Sequence, residues 1–272
     1  MFIKYLFIIV LFVGVVFLSS CGNEDTNLSP NKNLKIEMVK YHKKSAECNT
    51  PPEENCAEIK IEFPQITFPE NKIVEEKINK SIMTLFSQEM LDGTESIDFE
   101  AMMDGFIQEY ESFEKEFPDA PQSWIIERIG DVQLNRVNIF SIHFTDYSYT
   151  GGAHPNTYVT FRNFDLSNGE GIQLDELIPS EKKNELTLIA EMEFRKLKNL
   201  STEDDLGQAG FWFEDNQFSL NDNFLITDTG LVFYYNNYEI TAYAFGPTEL
   251  VIPYSKIKLL IKKEGLLDNL IN

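Results

Sequence analysis

The stretch YSYTGGAHPNTYVTFRNFDL, residues 147–166, decides the fold, because it places a turn sequence between two strand-like runs. Both runs are rich in tyrosine, phenylalanine and β-branched residues, which favour β-strands. The adjacent Gly151 and Gly152 permit positive φ angles, and Pro155 favours an extended backbone at His154. The stretch therefore predicts two antiparallel strands joined by a turn that contains His154.

Strand-like segments also precede and follow this pair. Residues 34–41 and 57–63 alternate apolar with polar side chains, and residues 123–135 are rich in β-branched side chains. Nearer the C-terminus, the sequence is typical of a hairpin that turns at Thr229-Gly230, with a further strand at 249–254. These segments indicate sheets built from antiparallel strands.

Apolar residues at helical spacing predict three longer helices between these strands. They fall within residues 74–86, 99–117 and 186–197, and a short helix is predicted at 255–264. We interpret the methionine and aromatic stripe of the second helix as packing against a sheet, although such a stripe can also line a ligand groove. Helices and strands do not alternate strictly, so the predicted fold class is α+β, with antiparallel sheets each packed by helices.

The first residues resemble a bacterial export signal. A positive start ending at Lys4 precedes the apolar run 5–18, and LSSC resembles the lipobox in which Cys21 is acylated after cleavage. A transmembrane helix is the alternative, but spanning a bilayer takes about 20 apolar residues and this run is shorter. We therefore predict a signal peptide at 1–20, a flexible tether at 21–33, and localisation in the cell envelope through a membrane lipid anchor on Cys21.

The other two cysteines, Cys48 and Cys56, bracket a polar loop between the first two predicted strands. In an oxidising compartment a disulfide would hold the two ends of this hairpin together. A metal-binding pair is the alternative, but no further cysteine or histidine is close enough in the sequence to suggest a complete zinc site. We therefore predict the disulfide.

The composition excludes one class of partner. Forty-four acidic and 23 basic residues give a formal net charge of −21. A surface this negative repels nucleic acid, so we expect no nucleic-acid partner. The same charge would either attract a cationic partner or simply keep an exported protein soluble.

The sequence lacks the common motifs of catalysis. It contains no G-x-S-x-G elbow, glycine-rich phosphate loop, H-E-x-x-H helix or C-x-x-C pair. His143, His154 and Asp146 could form a ligand set, but His143 falls within a predicted strand and three residues are weak evidence for a metal site. We therefore predict that the protein is not an enzyme and uses neither a cofactor nor a metal.

Three stretches resemble a known family. They are YSYTGGAHPN at 147–156, FDLSNGEGIQLDELI at 164–178 and FLITDTGLVFYYNNYEITAYAFGPTELVIPYSKIK at 224–258. They are similar to the two-part extracellular module of anti-sigma-V factors (RsiV) and of PdaC polysaccharide deacetylases, and FPQITFPENKIVEEKIN at 63–79 extends the resemblance to the N-terminal half.

The resemblance implies an α+β module with an N-terminal domain at 34–157 and a C-terminal domain at 158–272, the latter compared with a fragment of the heat-shock-protein ATPase fold. Only MFIK precedes the apolar run and no deacetylase metal set follows the module, so neither anti-sigma nor deacetylase function is expected. The resemblance implies a non-catalytic binding module, whose partner would be a cationic lysozyme-like protein, as for RsiV. The alternative partner is peptidoglycan or another glycan, as for PdaC.

The residues around the glycine turn form the candidate site: Tyr147, Tyr149, Gly151, Gly152, His154, Asn156 and Tyr158. We interpret the turn first as a structural junction, in which His154 and Asn156 tie the two halves together by hydrogen bonds. The alternative is a ligand-contacting loop, because tyrosine is an amphipathic residue that both sugar rings and protein partners contact.

Overall fold

The computed structural model describes residues 31–49, 55–87, 98–120, 122–136 and 138–271. The predicted signal peptide, the predicted lipid anchor on Cys21 and most of the predicted tether lie outside these residues, so all three stay predictions. Among the described residues, no helix is both long and apolar enough to cross a membrane.

The described residues form two sheets. The first has five strands in the order β1-β2-β3-β4-β5, with bounds Lys35–Lys44 (β1), Ala57–Thr67 (β2), Trp124–Asn135 (β3), Ile139–Tyr149 (β4) and Asn156–Asp165 (β5). The second has three strands in chain order, with bounds Phe224–Ile226 (β6), Gly230–Tyr235 (β7) and Thr248–Pro253 (β8). With the helices described below, these sheets confirm the predicted α+β class.

The first two strands form the predicted hairpin. Their antiparallel register ends with Lys44 opposite Glu58. Just beyond this point Cys48 and Cys56 form a disulfide, with their Cα atoms 5.1 Å apart. The predicted disulfide is therefore confirmed, and the alternative of a metal-binding cysteine pair is wrong.

One strand pair departs from the predicted antiparallel arrangement. β2 and β3 run parallel, with Ala57 opposite Trp124. Two helices, α1 (Lys72–Ser87) and α2 (Phe99–Glu116), lie between these strands in the sequence and carry the chain back across the sheet. Parallel neighbours need such a crossover, whereas antiparallel neighbours can be joined by a tight turn. The prediction of purely antiparallel sheets is therefore wrong for this pair.

Both crossover helices bury one face against the five-stranded sheet. Ile78 of α1 and Tyr110 of α2 are fully buried, and Phe99 and Met103 of α2 are nearly so. The ring of Tyr110 lies 5.7 Å, centroid to centroid, from that of Trp124 on β3. Each such side chain contributes about 1.5 to 3 kcal/mol through burial. The methionine and aromatic stripe is thus core packing, as interpreted from the sequence.

The C-terminal half is a second core built around the three-stranded sheet. Its helices are Leu174–Leu177 (α3), Lys183–Leu197 (α4), Tyr254–Ile257 (α5) and Leu266–Ile271 (α6). Phe194 of α4 is fully buried, and its ring contacts those of Phe211, Phe213 and Phe218 at centroid distances of 4.9, 5.5 and 5.2 Å. These aromatic contacts hold α4 and the loop after it in place.

The helix predicted at 255–264 is wrong in its extent. Only α5 forms there, and the chain then turns before α6. The backbone N–H of Lys262 donates to the carbonyl oxygen of Leu177, at 2.9 Å, instead of continuing a helix. Glu264 has a positive φ of 58°, which also interrupts helical geometry. The tertiary hydrogen bond of Lys262 therefore outweighs the local preference for a helix that the apolar spacing indicates.

The predicted domain boundary between residues 157 and 158 lies inside β5, and all of β5 pairs with β4 in the first sheet. The division into two domains stays a prediction, and the glycine turn joins two strands of one sheet. The first sheet therefore extends to Asp165.

Candidate functional site

The predicted site residues lie on the hairpin formed by β4 and β5. Gly151 and Gly152 have positive φ angles of 98° and 100°. The hydroxyl of Tyr149 donates a hydrogen bond of 3.2 Å to the carbonyl oxygen of Gly152 and so closes the turn. A Cβ added at Gly151 would overlap the side-chain amide of Gln122, whereas one added at Gly152 would meet open space.

The ring of His154 connects this turn to the C-terminal half. It stacks on Tyr243 with centroids 3.8 Å apart, and its Nε2 lies 3.3 Å from the hydroxyl of Tyr238. Its Nδ1 lies 3.0 Å from the carbonyl oxygen of Pro155, which also accepts from the Tyr243 hydroxyl. A neutral ring protonated at Nδ1 satisfies both contacts, because Nδ1–H donates to the carbonyl and Nε2 accepts from Tyr238.

These contacts are exposed to solvent. His154 is exposed, and 55% of Tyr238 is accessible. Because water can replace an exposed hydrogen bond, each contributes less to stability than a buried one. Replacing His154 should therefore cost less stability than the loss of a buried hydrogen-bonding group.

Substituting Gly152 by valine should lower the free energy of unfolding by about 1 to 3 kcal/mol, because a β-branched residue is strained at positive φ. The open space around Gly152 means that strain alone, without a steric clash, causes the loss. Gly105→Ala is the matched control, since Gly105 lies within α2 with open space around it. That control should stabilise the protein by about 0.5 to 1 kcal/mol. Urea unfolding of both variants provides the test, and unchanged stability of the valine variant would contradict the prediction.

The structure does not bring His143, His154 and Asp146 together. His143 lies against the ring of Phe161, with centroids 5.3 Å apart, and burial lowers its pKa. Asp146 points to the opposite face of the sheet, because successive side chains of a strand alternate, and it pairs with Arg128 at 3.2 Å. In the part of the chain that the structure describes, no group of three or more His, Cys, Asp or Glu is placed to hold a metal. The hypothesis of this ligand set is wrong.

A buried asparagine on β5 joins the first sheet to β6. Asn163 is 3% exposed. Its Nδ2 donates to the carbonyl oxygen of Phe224, and its Oδ1 accepts from the backbone N–H of Ile226, both at 2.8 Å. One side-chain amide therefore satisfies a donor and an acceptor of the neighbouring strand.

Two asparagines of the C-terminal half make the reciprocal contacts. Asn236 accepts from the backbone N–H of Val159 at 2.7 Å and donates to its carbonyl oxygen at 3.0 Å. Asn223 accepts from the N–H of Phe161 at 2.8 Å and donates to the carbonyl of Val159 at 2.9 Å. The outer edge of β5 is thus paired by side chains, and the two halves meet along it.

Two adjoining cavities, of about 140 and 340 Å³, lie along β5 at this junction. Tyr158 and Thr160 line both, so we call the two together the β5 groove. The smaller cavity is also lined by Leu85, Arg128, Phe144, Asp146, Ser148 and Asn156. The larger one is completed by Arg162, Asn221, Asp222, Asn223 and Glu239. Residues from both halves therefore form the groove.

The groove combines an exposed aromatic ring with planar polar groups. Tyr158 is 54% exposed between the two cavities. Amide, guanidinium, carboxylate and hydroxyl side chains surround it. Such a lining can contact an apolar ring face and hydrogen-bond the polar groups at its edge.

The carboxylates of Asp146 and Glu239 already have partners within the groove. Asp146 pairs with Arg128, which is 4% exposed and also donates to the carbonyl oxygen of Phe86 at 2.6 Å. Glu239 accepts from the side chain of Asn221 at 2.6 Å and from the backbone N–H of Asn236 at 2.7 Å. The ion pair of Asp146 and the hydrogen bonds of Glu239 give both carboxylates a structural role.

Only two of the predicted site residues lie in the β5 groove. Asn156 and Tyr158 line the β5 groove, whereas Gly151, Gly152 and His154 form the turn beside it. Tyr147 and Tyr149 lie on the other face of the sheet, because their odd positions in β4 alternate with Asp146 and Ser148.

The residues that complete the groove from the C-terminal half were not predicted from the sequence. They are Asn221, Asp222, Asn223 and Glu239, together with Arg162 on β5. Their sequence signal is a pair of asparagine-containing segments, NDN before β6 and NNYE after β7. Such segments are usually turns, so only the tertiary contact with β5 distinguishes them.

Two family models match the chain. A model described as "Deacetylase PdaC" matches residues 52–157, and one described as "Protein of unknown function (DUF3298)" matches residues 175–255. Among curated proteins, the chain is 26% identical over 170 residues to peptidoglycan-N-acetylmuramic acid deacetylase PdaC of Bacillus subtilis (strain 168). That match covers 58% of this chain and 34% of the relative, so the chain spans about a third of the relative's length.

Solved structures share the fold. A DUF3298 family member from Bacteroides fragilis superposes with a TM-score of 0.71 at 21% identity, covering 89% of this chain and 99% of that one. A DUF3298 family protein from Pseudomonas aeruginosa PAO1 gives 0.59 at 18% identity, covering 88% and 97%. The resemblances to RsiV and to a heat-shock-protein ATPase fragment stay predictions. The chain is thus similar to a PdaC deacetylase-like domain followed by a DUF3298 domain, with the fold of the solved DUF3298 proteins.

Proposed function

We propose that the protein is a non-catalytic module of the cell envelope that binds the glycan of peptidoglycan in the β5 groove. The observation that carries the proposal is the lining of the groove, where the exposed Tyr158 ring lies among amide, hydroxyl and charged side chains. A sugar ring presents an apolar face to an aromatic ring and hydroxyl groups at its edge. The groove offers a ring for the apolar face of a sugar and hydrogen-bonding side chains for its hydroxyl groups.

The similarity to PdaC supports a glycan ligand. That relative is named as a deacetylase of peptidoglycan N-acetylmuramic acid. The matching family model spans residues 52–157, which include Arg128, Phe144 and Asn156 of the smaller cavity, and it ends one residue before Tyr158. A binding role, not a catalytic one, agrees with the structural ion pair of Asp146 and the structural hydrogen bonds of Glu239.

Co-sedimentation with purified insoluble peptidoglycan tests this proposal. Tyr158→Ala should weaken binding about tenfold or more, because an aromatic side chain at the centre of a site typically contributes over 1 kcal/mol. Tyr158→Phe should retain most of the affinity, since it keeps the ring. Trp212→Ala is the matched control, because Trp212 is 55% exposed and lies outside the groove lining.

The result that would overturn the proposal is equal binding by wild type and Tyr158→Ala, or no binding by the wild type. The melting temperature of each variant is measured beside the co-sedimentation assay. If Tyr158→Ala melts at the wild-type temperature but binds weakly, the ligand binds in the β5 groove.

A second candidate function is binding of a cationic protein such as a lysozyme-like hydrolase. The net charge of −21 favours it, because opposite charges accelerate and strengthen association. Ionic strength separates the two functions. Affinity for a cationic protein should fall steeply with added salt, whereas affinity for an uncharged glycan should hardly change.

A further inference from the structure

Arg162 differs from the other three arginines of the sequence in its partners. Arg128 pairs with Asp146, Arg136 with Asp228 and Arg195 with Glu191, so each has a carboxylate partner. The guanidinium of Arg162 donates through Nη1 to the carbonyl oxygen of Phe161 at 2.8 Å, and among the described residues no carboxylate forms an ion pair with it.

The surroundings of Arg162 make this arrangement unusual. The protein has 44 acidic residues, so acidic partners are plentiful in its sequence. Arg162 is half-buried on β5, and burial lowers its pKa although the nearby Tyr158 raises it. A partly desolvated cation is stabilised when an anion replaces the water that it has lost. Its guanidinium therefore offers donors to a ligand in the larger cavity of the β5 groove.

The charges in the cavity restrict the kind of anion. Asp222 and Glu239 line the same cavity as Arg162. A doubly charged phosphate would be repelled by both carboxylates, whereas a single carboxylate carries half that charge. The planar guanidinium also matches a carboxylate in a bidentate arrangement.

We infer that Arg162 forms a carboxylate-binding subsite of the β5 groove, beside the ring of Tyr158. This inference rests on the proposed glycan function and deepens it, because it names the group that the groove recognises. In peptidoglycan a carboxylate is available from two sources, which are the lactyl ether of muramic acid without a peptide and the stem peptide. Both present the same chemistry to Arg162.

Calorimetric titration with three probes tests the inference. They are a tetrasaccharide of alternating N-acetylglucosamine and N-acetylmuramic acid, the neutral N-acetylglucosamine tetramer, and a free stem peptide. For the wild type we expect the carboxylate-bearing tetrasaccharide or the peptide to bind about tenfold tighter than the neutral tetramer. Which of the two shows this preference identifies the source of the carboxylate.

Two variants test whether Arg162 causes the preference for the carboxylate-bearing probe. Arg162→Gln should abolish it, because a neutral amide replaces the guanidinium, and the preference is scored as the ratio of the two affinities within each variant. Arg162→Lys keeps the charge but loses the planar fork, so it should retain only part of the preference. Circular-dichroism melts of both variants show that the fold is intact.

The outcomes separate this inference from the proposed function. Equal wild-type binding of the neutral and carboxylate-bearing glycans, with no peptide binding, overturns the subsite but leaves the glycan function standing. A preference that survives in Arg162→Gln also overturns it. Failure of the wild type to bind either glycan or insoluble peptidoglycan overturns the proposed function, and the subsite with it.

Discussion

Replacing Asn163 by leucine is expected to lower the free energy of unfolding by about 2 to 6 kcal/mol. Leucine is close in size but cannot replace the two hydrogen bonds that the amide makes to Phe224 and Ile226. Asn163 is 3% exposed, so water cannot easily satisfy the carbonyl and the N–H that are left behind. Each such unpaired buried group costs about 1 to 3 kcal/mol.

Asn184→Leu is the matched control for this variant. Asn184 is exposed on α4, so the same change there should alter stability by only about 0.5 kcal/mol. Chemical denaturation of the two variants gives the comparison. Similar stabilities would show that the junction between the halves does not depend on the amide of Asn163.

Arg128→Met should destabilise the protein by about 3 to 5 kcal/mol, because it removes both the guanidinium paired with the poorly solvated Asp146 carboxylate and the donor to the Phe86 carbonyl oxygen. The Arg128 side chain is 5% exposed and that of Asp146 is 19% exposed. Most of the lost stability is the cost of a poorly solvated Asp146 carboxylate that no longer has its ion pair with Arg128. This cost exceeds the net contribution of the ion pair itself.

The double variant Arg128→Met/Asp146→Leu distinguishes this cause from a general loss of packing. It should recover much of the stability, because the second substitution removes the poorly solvated carboxylate as well. Lys182→Met is the control, since Lys182 pairs with Glu185 at 3.0 Å on the surface and its loss should cost at most about 1 kcal/mol. A double variant no more stable than Arg128→Met would refute the explanation.

Local sequence patterns were sufficient to predict most of the elements. The alternation in β1 and β2, the apolar stripes of α1 and α2, and the turn at Thr229-Gly230 all lie where the sequence placed them. These signals are local, because each depends on residues that are neighbours in the chain. The parallel pairing of β2 with β3 is not local, since paired positions such as Ala57 and Trp124 are 67 residues apart in the sequence.

The site was harder to predict than the fold, because its residues come together through contacts between distant parts of the chain. Tyr158 and Asn156 were found because they adjoin a recognisable turn. Arg162 was missed, because its lack of a carboxylate partner is a property of the folded chain and leaves no pattern in FRNF. Asn236 was also missed, because an asparagine next to a strand predicts a turn before it predicts a contact with a distant backbone.

The asparagine contacts along β5 have a consequence for self-association. An outer strand with bare N–H and carbonyl groups can template addition of a strand from another molecule, which leads to aggregation. Here Asn223 and Asn236 occupy those groups on β5, while the opposite outer strand, β1, carries exposed lysines such as Lys35 and Lys40 that repel a like strand. Both ends of the sheet thus resist polymerisation. Such protection would matter most at the crowded membrane surface on which the predicted anchor would concentrate the protein.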